Sequence, residues 1–119
     1  MTPIQIYDTT LRDGAQGEGV SFSLFDKLQI ARRLDEIGID LIEGGYPLSN
    51  EKDAEFFRKI REGRLQHSVV TAFGMTRRRA VRTADDPGMQ ALLRAETAAC
   101  TIVGKTWDYH VLELSLIHI

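Results

Sequence analysis

The chain has 119 residues, enough for one ordinary domain with its own core, and a composition of 43% hydrophobic and 27% charged residues typical of a soluble globular protein. Fifteen basic against seventeen acidic residues leave a net charge of -2, so no general attraction to nucleic acid or membrane is expected. No apolar run approaches the ~20 residues of a bilayer span, and a lone cysteine, Cys100, excludes an internal disulfide and fits a reducing cytoplasm.

The first predicted element is a short strand, Ile4–Tyr7. The N-terminal Met1-Thr-Pro-Ile-Gln5 enters it directly, without the charged, apolar and small-residue regions of a signal peptide. Asp8-Thr-Thr-Leu-Arg12-Asp13-Gly14-Ala-Gln16 forms the loop that leaves it. Ser23-Leu-Phe-Asp26 has the form of a capping box. Leu24, Leu28, Ala31, Leu34 and Ile37 then recur at steps of three and four, which predicts a helix with one apolar face, and Gly38 suits a left-handed stop. Strand two is Asp40–Glu43, ending in Gly44-Gly45-Tyr46-Pro47. Asn50 caps a second helix, with Glu51 and Asp53 in its first turn, where acids favour the dipole. Ala54, Phe57 and Ile60 are predicted to face inward, and Gly63 to end that helix. Strand three is Ser68–Phe73, followed by a basic loop, Thr76–Arg82. Asp86-Pro87 opens a third helix with Met89, Leu92 and Leu93 on its apolar side. Strand four is Cys100–Val103.

This alternation predicts an α/β fold. The strand starts fall about every 30 residues, close to the ~31 per unit of a (β/α)8 barrel of ~250 residues. The chain therefore holds about four βα units, half of such a barrel. An open flavodoxin-like sheet fits the same periodicity equally well.

The loop after strand one carries two acids, an arginine, an amide and a glycine at the carboxyl end of a strand, the rim where parallel sheets bind ligands and metals. A carboxylate beside a guanidinium can grip a hard cation and a developing oxyanion together. The run Asp8-Thr-Thr-Leu-Arg-Asp-Gly14 with Gln16 resembles the motif of the metal-dependent Claisen-condensing and lyase enzymes, the DRE-TIM metallolyases. That family includes isopropylmalate, homocitrate and citramalate synthases and hydroxymethylglutaryl-CoA lyase. Gly14-Ala-Gln-Gly-Glu-Gly-Val-Ser-Phe-Ser23, Ile42-Glu-Gly-Gly-Tyr-Pro47 and Gly104-Lys-Thr-Trp-Asp108 are most similar to the citramalate synthase branch. The resemblance covers roughly residues 4 to 111, and it selects the TIM barrel over the open sheet.

The resemblance implies an acyltransferase that condenses acetyl-CoA with an α-keto acid, pyruvate giving citramalate, in the branched-chain amino-acid route to isoleucine. It implies a divalent metal, Mg²⁺ or Mn²⁺, with Asp13 as a direct ligand; by spacing alone Asp13 is a turn-capping loop aspartate. It makes Arg12 the group that stabilises charge on the keto oxygen, rather than a surface salt-bridge partner. It places Glu43 in the active site, where the same residue can serve by orienting Arg12. Gln16 is either a substrate contact or a solvated loop amide. A homodimer is the implied assembly, without nucleic-acid or membrane partners. Isopropylmalate synthase, homocitrate synthase and acyl-CoA lyase stay open as alternatives, as does a non-catalytic half-barrel that works only by association.

Arg77-Arg78-Arg79 with Arg82 is the one basic cluster; it can attract the phosphates of coenzyme A or of nucleic acid, or be a plain solvated loop. The family draws further metal ligands from a His-x-His pair on a later strand. Here His67 precedes strand three on the opposite rim, His110 follows strand four on the site rim, and His118 lies near the chain end. Residues 1–111 are expected to form a partial TIM-barrel catalytic domain. Residues 112–119 form an atypical tail whose Leu112-Glu-Leu-Ser-Leu-Ile-His-Ile119 pattern suits a strand and is expected to be non-native. On this reading the chain is a truncated fragment, inactive by itself.

Overall fold

The computed structural model describes residues 2–114. Four strands, β1 Tyr7–Asp8, β2 Leu41–Gly45, β3 Val69–Met75 and β4 Ala99–Val103, alternate with three helices, α1 Leu24–Glu36, α2 Glu51–Glu62 and α3 Pro87–Ala95. Each helix begins at the cap written in the sequence. Ser23 Oγ accepts from Asp26 N at 3.0 Å while Ser23 N donates to the Asp26 carboxylate at 2.9 Å, closing the capping box. Asn50 Oδ1 accepts from Asp53 N at 2.7 Å, and Asp86 Oδ1 from Met89 N at 3.0 Å with Pro87 in the first turn.

The sheet is wholly parallel, in the order β1-β2-β3-β4. Ile42, Gly44, Ala72 and Gly74 share one face of it. A β-carbon on Gly44 would meet Phe56 and Phe57 of α2, and one on Gly74 would meet Leu92 of α3. The helices thus pack side by side on one face, with Leu11, Ala31, Ile42, Phe56, Phe57, Ile60, Ala72, Leu92 and Ala95 as the core beneath them. Strands in chain order with helices along a single face are the winding of a barrel; a flavodoxin-like sheet reverses direction and carries helices on both faces. The fold is α/β and corresponds to the first half of a TIM barrel.

Several local expectations change. Pairing begins at Tyr7, not Ile4, and Ile4 and Ile6 are exposed. Helix α1 ends before Ile37, which lies at the C-cap and faces out. Ala54 and Leu93 are also exposed, because the buried stripes are Asp53, Phe56, Phe57 and Ile60 on α2 and Gly88, Leu92 and Ala95 on α3. An aspartate within the stripe shifted the predicted face of α2 by one residue. Leu112–Leu114 belong to a helical turn, His110–Leu114, rather than to a strand, with Val111 N donating to Trp107 O at 3.0 Å and the Trp107 and His110 rings 4.6 Å apart. Residues 115–119 of the predicted tail lie outside the described residues.

Three carboxylates tie loops to helices and strands. Burial pushes the Asp35 carboxyl up, but the backbone N–H groups of Ser68, Gln66 and His67, at 2.7 to 2.8 Å, together hold it below its ordinary range. Asp40 is lowered chiefly by the Ile6 N–H, and Asp86 chiefly by the Arg78 N–H. A pKa depressed by folding gives stability that is present above the unfolded value and is lost as pH falls through the folded one. Unfolding free energy should stay level from about pH 7 to 5 and fall below about pH 4. Urea titrations at stepped pH check this, and Asp35→Asn should be less stable at neutral pH with a shallower acid decline. Gly44→Ala should cost about 1–3 kcal/mol by overpacking, since its β-carbon would sit 2.5 Å from Phe56 Cε1 and 2.9 Å from Phe57 Cε1. Thermal unfolding measures it.

Candidate functional site

The sheet face away from the helices carries a polar cluster built on Glu43, which is 1% exposed in the middle of β2, the strand running on to Gly45 rather than ending at Glu43. A buried carboxylate must be paired, and Glu43 accepts from Arg12 Nε and from the Tyr7 hydroxyl. Arg12 is brought there by its loop. Asp8 fixes the first turn by accepting from Thr10 N at 2.9 Å. Thr9 O then takes the N–H groups of Arg12, Asp13 and Gly14 at 2.9 to 3.2 Å. Leu11 plugs the core at 1% exposure, so the loop cannot swing away. The Arg12 guanidinium lies over the Phe73 ring, 4.1 Å from its centroid, and Phe73 meets Tyr46 edge-on at 5.3 Å.

Tyr7 ties the strands together from the inner side. Its hydroxyl lies 3.0 Å from Thr71 Oγ1 and 2.5 Å from Thr101 Oγ1. Burial foremost, and then the Glu43 carboxylate, push the phenol pKa up, so the ring stays protonated and donates. The result is one buried carboxylate held by a guanidinium and a phenol, with hydroxyls from two further strands closing the layer.

Arg12, Asp13 and Glu43 are therefore brought together. Arg12 Nη1 is 3.6 Å from Asp13 Oδ1, and the Asp13 side chain is 63% exposed. An open carboxylate on this rim suits a hard divalent cation as a single oxygen donor. Among the described residues no group of three or more His, Cys, Asp or Glu converges to complete a metal site. Gln16 is exposed on the turn Gly14–Gln16 and takes no part in the hydrogen bonds that join Arg12 to Glu43. His67 lies two residues before β3 with Nε2 3.1 Å from Asp40 Oδ1. His110 packs against Trp107 and Tyr109. His118 is outside the described residues.

Among the described residues no helix is long and apolar enough to cross a membrane. The family model described as HMGL-like matches residues 3–112. The chain is 51% identical to a protein named (R)-citramalate synthase from Geobacter sulfurreducens, over 95% of this chain and 21% of that protein. It is 53% identical to one of the same name from Aquifex aeolicus, over 91% of this chain and 20% of that protein. A 2-isopropylmalate synthase from Listeria welshimeri is 40% identical over 93% of this chain and 21% of its own length. The chain thus spans about a fifth of the length of these curated relatives.

Sequence reasoning missed Tyr7, Thr71, Thr101 and Phe73, which join Glu43 and Arg12 only through strand register. It also missed a second buried ion pair on the helix side of β2. Lys27, 1% exposed, places Nζ 2.6 Å from Asp53 Oδ1, and Asp53 Oδ2 accepts from Tyr46 N at 2.9 Å. Lys27 lies within the apolar stripe of α1, between Leu24 and Ala31, and that position was the available signal. Burial lowers the Lys27 pKa and the Asp53 carboxylate opposes the shift. The pair pins the chain just after Gly45, whose φ of +150° and missing β-carbon make room for both side chains. Asp53→Ala should cost about 3–5 kcal/mol by leaving the lysine unpaired. Lys27→Met with Asp53→Leu should recover most of that loss. Urea unfolding of both variants tests the pair.

Proposed function

The chain belongs to the HMGL-like family, and from that premise we propose that it carries the keto-acid end of an active site that condenses acetyl-CoA with an α-keto acid. Pyruvate is the proposed acceptor and citramalate the product, serving branched-chain amino-acid synthesis toward isoleucine in the cytoplasm, in a homodimer of the full-length protein. The observation that carries this reading is the Arg12 guanidinium, fixed on one edge by buried Glu43, backed by Phe73 and adjacent to the open carboxylate of Asp13.

The chemistry follows from what each group has left to offer. Arg12 commits Nε to Glu43 and keeps its Nη donors toward the rim, where they can meet the carboxylate and keto oxygen of the acceptor. When the enolate of the thioester attacks the keto carbon, charge gathers on that oxygen, and a preorganised guanidinium stabilises it without reorganisation. Glu43 and Tyr7 act on Arg12 rather than on substrate, holding its plane in one orientation. Asp13 would hold the divalent ion, Mg²⁺ or Mn²⁺, which supplies Lewis-acid charge at the same oxygen. The remaining ligands and the base that deprotonates acetyl-CoA are assigned to barrel units beyond these four. Residues 1–119 alone are accordingly proposed to be inactive in condensation.

In the full-length protein, Arg12→Lys keeps the charge and loses the fork, so kcat should fall by ~10²–10³ with metal affinity little changed. Steady-state kinetics with pyruvate and acetyl-CoA decide this, and an unchanged kcat would make Arg12 structural. For the 119-residue chain, calorimetry with Mn²⁺ should give only weak, roughly millimolar binding, since one carboxylate cannot replace a full ligand set. Micromolar affinity abolished by Asp13→Ala would overturn that expectation.

A further inference from the structure

The buried ion pair between Lys27 and Asp53 takes no part in the chemistry proposed above, and stability does not account for it. Two charges withdrawn from water can often be replaced by apolar side chains of like volume without loss of stability, so the question is what such a pair orients. Here it is rigidly mounted. The capping box of Ser23 and Asp26 fixes the start of α1, and Lys27 follows directly. Asp53 lies in the first turn of α2, its own N–H held by Asn50 Oδ1 at 2.7 Å. The Lys27 ammonium also lies over the Phe56 ring, 5.0 Å from its centroid. Neither end of the pair is on a loop.

Asp53 divides its two oxygens. Oδ1 accepts from Lys27 Nζ at 2.6 Å, and Oδ2 accepts from the Tyr46 N–H at 2.9 Å. Tyr46 is the first residue after β2. Its carbonyl is held in turn by Ser49, through the N–H at 3.0 Å and the hydroxyl at 2.8 Å. Both polar groups of the Tyr46 backbone are thereby fixed. The Tyr46 ring meets Phe73 edge-on, with centroids 5.3 Å apart, and the Phe73 centroid lies 4.1 Å from the Arg12 guanidinium carbon. Glu43 fixes the Nε edge of that guanidinium, and Phe73 backs its face. Edge and face together define the plane in which the Nη donors point. We propose that Asp53, anchored by Lys27, is a positioning residue for the acceptor site: it sets Tyr46, Tyr46 sets Phe73, and Phe73 sets the tilt of Arg12. This rests on the condensation reading above. A tilt that displaces the donors by about 1 Å is enough to cost on the order of 10²-fold in rate.

Two double variants separate positioning from a role in folding alone, with circular dichroism and urea unfolding as controls. Lys27→Met with Asp53→Leu keeps the volume and removes the acceptor of the Tyr46 N–H. Lys27→Gln with Asp53→Asn removes both charges and keeps an amide oxygen for that N–H. In the 119-residue chain, the Arg12 Nε–H signal in nuclear magnetic resonance spectra, assigned by its loss in Arg12→Lys, reports the ring current of Phe73. It should move in the first variant and hold its place in the second. In the full-length protein the first variant should lose roughly 10- to 100-fold in kcat/KM for pyruvate, with KM for acetyl-CoA unchanged, and the second should keep the natural values. An unmoved Arg12 signal with unchanged pyruvate kinetics in the first variant would overturn the proposal. Equal losses in both variants would overturn it too. Tyr46→Leu, which leaves the backbone contacts and removes the ring, keeps the test decisive where the first variant does not fold: it should also move the Arg12 signal, and an unmoved signal breaks the relay at its middle link. Movement of the Arg12 signal in a protein without pyruvate-dependent condensation would instead overturn the reaction and leave the positioning of Arg12 standing.

Discussion

The structure turns on one buried negative charge. Glu43 has been taken out of water in the middle of β2, and desolvating a carboxylate is tolerable only beside a full set of donors. The donors come from the loop after β1 and from β1 itself, so the first unit of the chain is held in register with the second by electrostatics as much as by backbone pairing. This explains why a two-residue β1 suffices. The Tyr7 phenol carries the same link across to β3 and β4 through Thr71 and Thr101. The guanidinium that the proposed chemistry uses at the rim is therefore also the counter-ion that the fold needs.

A buried ion pair lies against each face of β2. Inward, its own Glu43 meets Arg12; outward, Lys27 of α1 meets Asp53 of α2 against the strand, and Asp53 accepts from the Tyr46 N–H. The two pairs differ in kind. Glu43–Arg12 opens to the rim and has donor capacity to spare. Lys27–Asp53 is closed in by the helices, and its value lies in fixing where the chain turns after Gly45. Arginine suits the first because its fork can serve two partners, and lysine the second because a single compact charge is enough.

Caps, glycine stops and helical spacing are local instructions. That is why Ser23, Asn50 and Asp86 marked the three helix starts and why four βα units were legible from the chain alone. Arg12 and Asp13 were legible because they sit in one recognisable run, and Glu43 because it closes the apolar run before the double glycine. What could not be seen was whatever depends on strand register. Tyr7, Thr71, Phe73 and Thr101 are ordinary strand residues until parallel pairing sets them on the same face as Glu43. The faces of α2 and α3 were misjudged at Ala54 and Leu93 because periodicity assigns apolar residues inward, while here an aspartate and a glycine occupy buried positions. Periodicity could not separate a barrel from an open sheet, since both repeat βα; the order of strands and the single layer of helices do.

The irregularity in β2 has an arithmetic side. Side chains alternate along a strand, so Tyr46, three residues after Glu43, should point to the opposite face. The register slips between Glu43 and Gly45, so that Gly44 and Gly45 together occupy one step opposite β3. An odd count becomes an even one, and Tyr46 lands on Phe73 beside Arg12 rather than among the helices. The double glycine is thus a parity switch. It lets a single short strand deliver a carboxylate and an aromatic ring to the same side while its backbone turns away, and a chain with either residue deleted would retain the alternation but lose the length that brings the Tyr46 N–H within reach of Asp53.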